Sequence, residues 1–270
     1  MKAEQFIPKP GAKVNLKDFD PDSREGYDKE AAAKLMAKLQ ARMAELQEML
    51  YAQGAKSLLV VLQAMDAGGK DGTIRRVFDS VNPQGVRVHS FGVPTPEELS
   101  HDFLWRVHAR TPGKGYIGIF NRSHYEDVLV VRVARLAPPD VWKRRYDHIN
   151  DFERILHDSG TRVIKFFLNI SKDEQKERFQ ERLDRPDKHW KWSSGDLKVR
   201  EQWDEYMEAF EDVLTRCNTE YAPWYVVPAN RKWYRDLVVS QAIVDTLESM
   251  DLGYPEPPAD VEFDKIVIPD

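Results

Sequence analysis

Leu35, Met36, Leu39, Met43, Leu46 and Leu50 recur every three or four positions in a stretch rich in Ala, Glu, Gln and Met. That spacing predicts an amphipathic helix over Lys29–Ala52. The pattern then changes. Ser57–Gln63 (SLLVVLQ) is a short unbroken apolar run, as expected of a strand covered on both faces of a parallel sheet. A glycine-containing turn and a helix-compatible stretch, Thr73–Ser80, follow it. From there the two patterns alternate. Strands are predicted at Val86–Phe91, Tyr116–Asn121, Thr161–Asn169 and Trp224–Val227. Helices are predicted at Pro96–Arg110, Pro139–Ser159, Ser171–Leu183, Asp196–Cys217 and Lys232–Met250. Strands separated by helices of this length need crossover connections, so the fold class is α/β, with helices on both faces of a parallel sheet. No repeat divides the chain, which reads as one domain over residues 1–270. Residues 1–25 show no periodicity and read as an arm leading into the first helix, the two together spanning about 1–53. The Pro-rich tail Tyr254–Asp270 is expected to lie extended over the surface.

Charge narrows the function. Lys+Arg 40 against Asp+Glu 45 gives a net charge of -5, so the molecule offers no basic field for duplex nucleic acid. A polyanionic ligand would have to be met by a local cluster of cations. Cys217 is the single cysteine, which excludes an intrachain disulfide and suits a reducing cytosol. It has no obvious activating base beside it and reads as a packed thiol. No apolar run is long enough to span a bilayer, and Met1–Asp22 has no export-signal core. A soluble cytoplasmic protein with neither nucleic-acid nor membrane partners is expected.

Directly after the first strand comes Ala64-Met65-Asp66-Ala67-Gly68-Gly69-Lys70-Asp71-Gly72-Thr73. Backbone N–H groups can approach a phosphate only where side chains do not intervene. A lysine supplies a point charge, and a helix N-terminus favours the anion. All three features occur here in the right order, so Ala67, Gly68, Gly69, Asp71, Gly72 and Thr73 are candidates to cradle phosphate around Lys70. The bland alternative is an ordinary Gly-rich turn with one exposed lysine. Two positions depart from G-x-x-x-x-G-K-[ST]: Ala64 replaces the first glycine, and Asp71 replaces the hydroxyl residue that would bind Mg²⁺. Asp66 offers a carboxylate in its place, since Mg²⁺ takes one or two carboxylates plus phosphate oxygens.

The third strand ends in Asn121-Arg122-Ser123-His124-Tyr125-Glu126-Asp127. Asn121 stands where a P-loop kinase carries its metal-binding Asp. Arg122 suits bidentate phosphate binding. His124 is read either as a phosphate ligand or as a packed ring.

Asp184–Gly195 (DRPDKHWKWSSG) breaks the helix–strand rhythm, and an irregular insert of this length is more often functional than accidental. Lys176, Arg178, Arg182 and Arg185 lead into it; Lys188 and Lys191 lie within it among Trp190 and Trp192. Paired with Glu174, Glu177 and Glu181, these cations could be only a solvated helix face. As a basic lid over about 178–197 they would neutralise phosphates. Arg75, Arg76, Arg106, Lys114 and Arg132 could extend such a path. Lys143-Arg144-Arg145 reads as a solvated helix face rather than a nucleic-acid patch, and apart from His101 and His108 none of the seven histidines shows metal-ligand spacing.

AMDAGGKDGT, VNPQGV, FNRSHYEDVL, ERLDRPDKHWKWS, WDEY and APWYVVPANRKWYR, in this order, resemble the polyphosphate kinase 2 family over about Val14 to Ile268. The resemblance implies a three-layer α/β/α P-loop kinase fold similar to thymidylate kinase, with a mobile helical lid. It implies reversible transfer of a terminal polyphosphate phosphoryl group to AMP or ADP, giving ADP and ATP, with Mg²⁺ (or Mn²⁺) as cofactor. By position, Lys70 and Arg122 would hold phosphate, Asp66 and Asp127 would be the metal carboxylates, and Arg178 would act from the lid, with Arg182 and Lys188 beside it. Asn121 and Glu126 would lie near the substrates. N-R-S-H-Y-E-D, rather than D-R-S-W-Y-N-R, resembles the class that accepts both AMP and ADP. A homo-oligomer, dimer or tetramer, is also implied. Two other functions fit the loop: an ordinary ATP-dependent nucleotide or metabolite kinase, and a phosphate-binding module without turnover.

Overall fold

In the computed structural model, which describes residues 1–261 and 263–269, β1 (Ser57–Gln63) is buried at every position, as its unbroken apolar run requires. On one side it pairs with β3 (Ile117–Asn121), which pairs in turn with β2 (Val86–Ser90). On the other it pairs with β4 (Thr161–Asn169), followed by β5 (Trp224–Pro228). All pairs are parallel, and the strand order is β2-β3-β1-β4-β5. Leu62 on β1 is in register with Asn121 on β3 and Phe166 on β4. The loops leaving β1 and β3 therefore start side by side where the strand order changes direction, which is where open α/β sheets bind ligands.

The helices form two packed groups around this sheet. α1 (Lys29–Gln53) begins at Asp28, whose carboxylate accepts from the Ala31 amide at 2.7 Å. It ends at Gly54, whose φ of 59° is the left-handed cap that glycine supplies without strain. Its buried row, Met36, Leu39, Met43, Leu46 and Leu50, matches the periodic positions and packs against α10 (Lys232–Glu248). α10 also meets α2 (Lys70–Val77). The second group is α5 (Val130–Val133), α6 (Pro139–Asp158) and α9 (Trp203–Arg216). α7 (Lys172–Asp184) follows β4, and a 3-10 turn over Pro186–Lys191 leads to α8 (Gly195–Glu201). The result is the expected α/β fold with a single parallel sheet.

Three expectations change. The predicted helix Pro96–Arg110 is two single turns, α3 (Pro96–Leu99) and α4 (Trp105–His108). Ser100 Oγ turns back onto the Glu97 carbonyl, and the Asp102 carboxylate accepts from the Leu104 amide at 2.9 Å. Such local side-chain bonds compete with helix propagation. The predicted helix Asp196–Cys217 breaks at Gln202 into α8 and α9, which bury different faces: Asp196 turns toward Arg182, whereas Trp203, Tyr206 and Phe210 enter the core. The N-terminal arm is no loose extension. Ala3, Phe6, Val14 and Leu16 are buried, and Asn169 and Asn218 donate to the Phe19 and Pro8 carbonyls. It escapes periodicity analysis because its regular structure is two 3-10 turns, Ala3–Phe6 and Leu16–Asp18.

Of the tail Tyr254–Asp270, the described residues carry a single 3-10 turn, Phe263–Lys265; Glu262 and Asp270 lie outside the described residues. Among the described residues no helix is long and apolar enough to cross a membrane.

Candidate active site

The loop between β1 and α2 is built by its own backbone. Ala67 has φ 61° and Gly69 φ 100°, and the Thr73 amide and hydroxyl both donate to the Gly69 carbonyl, at 2.9 and 3.1 Å. α2 therefore starts at Lys70, three residues before the sequence pattern suggests. Lys70 is 9% exposed and donates to the Ala64 carbonyl at 3.0 Å. Burial, with the neighbouring Arg122 charge, pushes its ammonium down to about 8 against the pull of Asp66, Glu126 and Asp71.

Two glycines are required by close approach. A Cβ on Gly68 would stand 2.4 Å from the Ala64 Cβ, and one on Gly69 would stand 2.1 Å from Arg235 Nη1. Arg235 cannot easily yield, since Asp236 accepts from its Nε at 2.8 Å and its Nη2 at 2.6 Å. Gly69→Ala should therefore combine left-handed strain of roughly 1–2 kcal/mol with that overlap. A melting-temperature drop of about 4–8 °C, together with loss of turnover, is expected from a thermal melt and an activity assay.

Arg178, expected on the lid, instead lies in the body of α7 and is buried. Its guanidinium makes five hydrogen bonds: to the Glu174 carboxylate and to the carbonyls of Ala67, Gly68, Ala229 and Asn230. It thus ties the phosphate loop to the chain leaving β5. Gln175, one residue row away, donates to the Asp66 carbonyl at 2.9 Å.

From β3, Arg122 reaches back with φ 62° and places Nη2 2.8 Å from Asp66 Oδ1 and Nη1 3.5 Å from Glu126 Oε2. Asn121 donates to Asp71 Oδ1 at 2.7 Å. Asn121 therefore links the end of β3 to the start of α2 by a hydrogen bond to a carboxylate. Two expected roles at this loop change. His124 is fully buried, with Nε2 3.2 Å from Glu153 Oε1, and it does not line the cavity. Burial keeps its pKa below the ordinary histidine value, so the ring is neutral and packed rather than a phosphate ligand. Asp127 turns its carboxylate to Arg145, 2.8 Å away on α6, and also stays out of the cavity. Burial pushes the Asp127 carboxyl up to about 6 against the pull of Arg145 and Arg106.

What the loops enclose is a cavity of about 460 Å³, lined by seven cationic and four acidic side chains. Lys70, Arg122 and Arg178 form its floor. Arg182 lines it from α7, Lys188 and Lys191 from the insert, and Lys232 adds a charge from α10. Ala67, Gly68, Gly69, Asp71, Gly72 and Asn121 line it too, whereas Thr73 is buried behind them. Arg182 is held by Asp196 at 3.1 Å, and Lys188 by Glu181. Lys191 lies 3.7 Å from Asp71 and 5.0 Å from the centre of the Trp190 ring. Trp192 packs edge-on against Phe179, 5.9 Å between ring centres, which anchors the insert to α7. A second, smaller cavity of about 140 Å³ adjoins it. Its apolar wall comes from Leu129, Val130, Tyr206 and Phe210, and it shares Asp66 and Arg122 with the first.

Arg75, Arg76, Arg106, Lys114 and Arg132 line neither cavity. Arg106 is engaged with Gly92 and Glu98, Lys114 with the Ser159 carbonyl, and Arg132 with Glu208 and Asp212. Residues that sequence reasoning passed over are Arg235, Asp196 and Lys232, and Arg145 was weighed only as part of a basic run. Arg235 and Lys232 fall inside the APWYVVPANRKWYR stretch, but nothing in the local pattern says that one faces the loop and the other the cavity.

A strand-loop-helix phosphate cradle at the switch point of a parallel sheet, roofed by cations, defines a P-loop kinase. The sequence pattern of "Polyphosphate kinase 2 (PPK2)" matches residues 26–254. The chain belongs to the polyphosphate kinase 2 family. It is 58% identical over 267 residues to the AMP/ADP-polyphosphate phosphotransferase of Meiothermus ruber, covering 98% of this chain and 99% of that protein. It is 44% identical to the ADP-polyphosphate phosphotransferase of Rhodopseudomonas palustris, covering 95% of this chain and 93% of that protein. The crystal structure of polyphosphate kinase 2 from Arthrobacter aurescens TC1 superposes with a TM-score of 0.92 at 47% identity, covering 96% of this chain and 93% of that one.

Proposed function

We propose that this protein transfers the terminal phosphoryl group of inorganic polyphosphate to AMP and to ADP, giving ADP and ATP, reversibly. The observation that carries the reading is the pairing of two cavities across Asp66 and Arg122: one cationic and open, one walled by apolar side chains. The first suits a chain of phosphates, and the second, at about 140 Å³, offers an apolar wall for part of the acceptor nucleotide. The phosphoryl group then passes where both meet. The names of the full-length relatives favour the same donor and acceptors.

Phosphoryl transfer demands positioning and charge neutralisation more than covalent chemistry. In this reading Lys70 and the amides of the loop hold the terminal phosphates, and Arg122 bridges donor and acceptor oxygens. Arg182, Lys188 and Lys191 neutralise phosphates farther along the chain and exclude water from above. Arg178 acts indirectly, by fixing the Ala67 and Gly68 carbonyls so that the loop amides face the cavity. Glu126, beside Arg122, borders the acceptor. Asp66 is the carboxylate we assign to Mg²⁺, with Mn²⁺ as a substitute. Among the described residues no group of three or more His, Cys, Asp or Glu is placed to hold a metal. That donor set fits Mg²⁺, which keeps phosphate and water oxygens rather than an all-protein cage. When bound, the ion would neutralise and orient phosphate oxygens. Asp127 is not assigned to it, because its carboxylate, turned to Arg145, does not line the cavity as Asp66 does.

The test is HPLC of AMP or ADP incubated with polyphosphate and Mg²⁺, beside a chelated control. Conversion of AMP to ADP and then ATP is expected. Product from AMP with ATP as donor, and none with polyphosphate, would move the protein to the ordinary nucleotide kinases. A pH profile tests Lys70. Its ammonium titrates near 8 rather than near the ordinary lysine value, so kcat/KM should fall as pH rises through about 8. Bound phosphates favour the cation, and kcat should hold to higher pH. A kcat/KM profile that stays flat well above that range would show that Lys70 keeps its proton in the free enzyme.

A further inference from the structure

Behind the loop that carries Arg122 lies a group of ionisable side chains that touches neither cavity. Lys165 on β4 and Glu153 on α6 are fully buried and form an ion pair. Lys165 Nζ also donates to the Tyr125 hydroxyl at 2.9 Å and to the Cys217 carbonyl at 2.8 Å. The Tyr125 hydroxyl donates in turn to Glu153 Oε1 at 2.8 Å, and His124 Nε2 meets the same oxygen at 3.2 Å. The Tyr125 and Trp224 rings close over the ammonium at 5.3 and 5.4 Å. Burial alone would raise the Glu153 carboxyl, but Lys165 and His124 hold it below the ordinary range, so the carboxylate stays ionised.

A pair buried this completely is a weak source of stability, because desolvation offsets the attraction and apolar side chains of similar volume often do as well. What ions add is direction, and the partners show what is being directed. Tyr125 and His124 belong to the short segment 121–127, which turns away from β3. Its other end is tied as well. Gln63 at the end of β1 donates to Ser123 Oγ at 3.2 Å, and that oxygen accepts the Tyr125 amide at 3.2 Å. Directly ahead of these ties, and held on its other side by its amide's bond to the Leu62 carbonyl, sits Arg122, a non-glycine residue at φ 62°. Such a conformation persists only where its surroundings over-determine it. Here it sends the guanidinium 2.8 Å from Asp66.

We infer that Glu153, Lys165 and Tyr125 are positioning residues, a buried clamp that holds segment 121–127 in the shape that aims Arg122 across Asp66 into the cavity. The inference rests on the reading of Arg122 as a phosphate-binding residue. A clamp with this role acts on turnover chiefly through Arg122, so most of its effect vanishes once Arg122 is removed. A clamp that only stabilises the fold lowers the melting temperature and leaves the chemistry of the folded fraction alone.

The experiment is a double-mutant cycle on kcat at a temperature well below melting, with thermal melts recorded for every variant. Tyr125→Phe removes the hydroxyl's two bonds to Glu153 and Lys165 while keeping the ring and the ion pair, and Lys165→Met/Glu153→Gln removes both charges at nearly constant volume. Each is made alone and with Arg122→Ala. In the parent, each should lower kcat by about tenfold to a hundredfold, the scale of a misplacement near 1 Å. The KM values for AMP and polyphosphate should stay within about twofold, as expected for an interaction made in the transition state. In the Arg122→Ala background the same changes should cause little further loss. Equal losses in both backgrounds would overturn the inference, since the clamp would then act without Arg122. Undiminished kcat in Tyr125→Phe, while Arg122→Ala is crippled, would overturn it and leave the role of Arg122 standing. Full activity in Arg122→Ala would sink the reading of Arg122 itself, and the clamp with it. Should the charge-free variant fail to fold, Tyr125→Phe decides alone.

Discussion

Lys70→Ala is expected to lower kcat for polyphosphate-driven ADP and ATP formation by about 10³-fold, at the upper end of what one preorganised charge supplies in a shielded site. Lys70 is the buried cation at the start of α2, and its ammonium already lies 3.0 Å from the Ala64 carbonyl, inside the loop. Little reorganisation is left to be done when phosphate arrives. The fold should survive, because removing a partly desolvated cation relieves its burial cost as well as its one hydrogen bond. Turnover by HPLC and a thermal melt check both halves. A variant that melts like the parent and retains more than about a tenth of its kcat would remove Lys70 from transition-state stabilisation. Lys70→Arg should recover only part of the loss, since a planar guanidinium does not replace a compact ammonium point charge.

Arg178→Ala is expected to be nearly as damaging to turnover, and to cost stability too. Four backbone carbonyls from two separate segments converge on one guanidinium. Removing it leaves those acceptors and Glu174 without their donor in a buried place. Hydrogen bonds to charged groups are worth about 1.5–3 kcal/mol each and do not add fully, so a total of about 3–5 kcal/mol is expected. That corresponds to a fall in melting temperature of roughly 6–15 °C. kcat should fall by about 10²-fold even in the folded fraction, because the Ala67 and Gly68 backbone is no longer pinned. Arg178→Lys keeps the charge but not the planar fork that spans both segments, and should recover less than half of the lost stability. A normal melt with depressed kcat would instead place Arg178 in direct contact with phosphate.

The two substitutions show how legible the site was. Lys70 and its glycines announce themselves, because a phosphate cradle is a local device: strand, loop and helix N-terminus are contiguous in the chain. Arg122 could be read for the same reason, as a cation directly after a strand. Arg178 was picked out as one of the cations leading into the insert, but its bonds to the loop carbonyls could not be read, because helix periodicity says which residues share a face but not what that face meets. The side chains of His124 and Asp127 likewise meet partners outside the cavity. They sit beside Arg122 in the chain, but the 3-10 turn at His124–Asp127 sends His124 inward to Glu153 and Asp127 sideways to Arg145.

By itself the sequence determined whatever short-range patterns encode. These were the α/β class, the five strands, the long helices, the cradle around Lys70 and the family. Each depends on residues within a few positions of one another, whose periodicity and backbone preferences act locally. Only the tertiary structure decided which charges meet. Glu153 and Lys165 stand 12 positions apart, and Arg178 and the Ala67 carbonyl 111 apart. The order β2-β3-β1-β4-β5 sets such partners, and a charge takes its role from its partners and its burial, neither of which is written next to it in the chain.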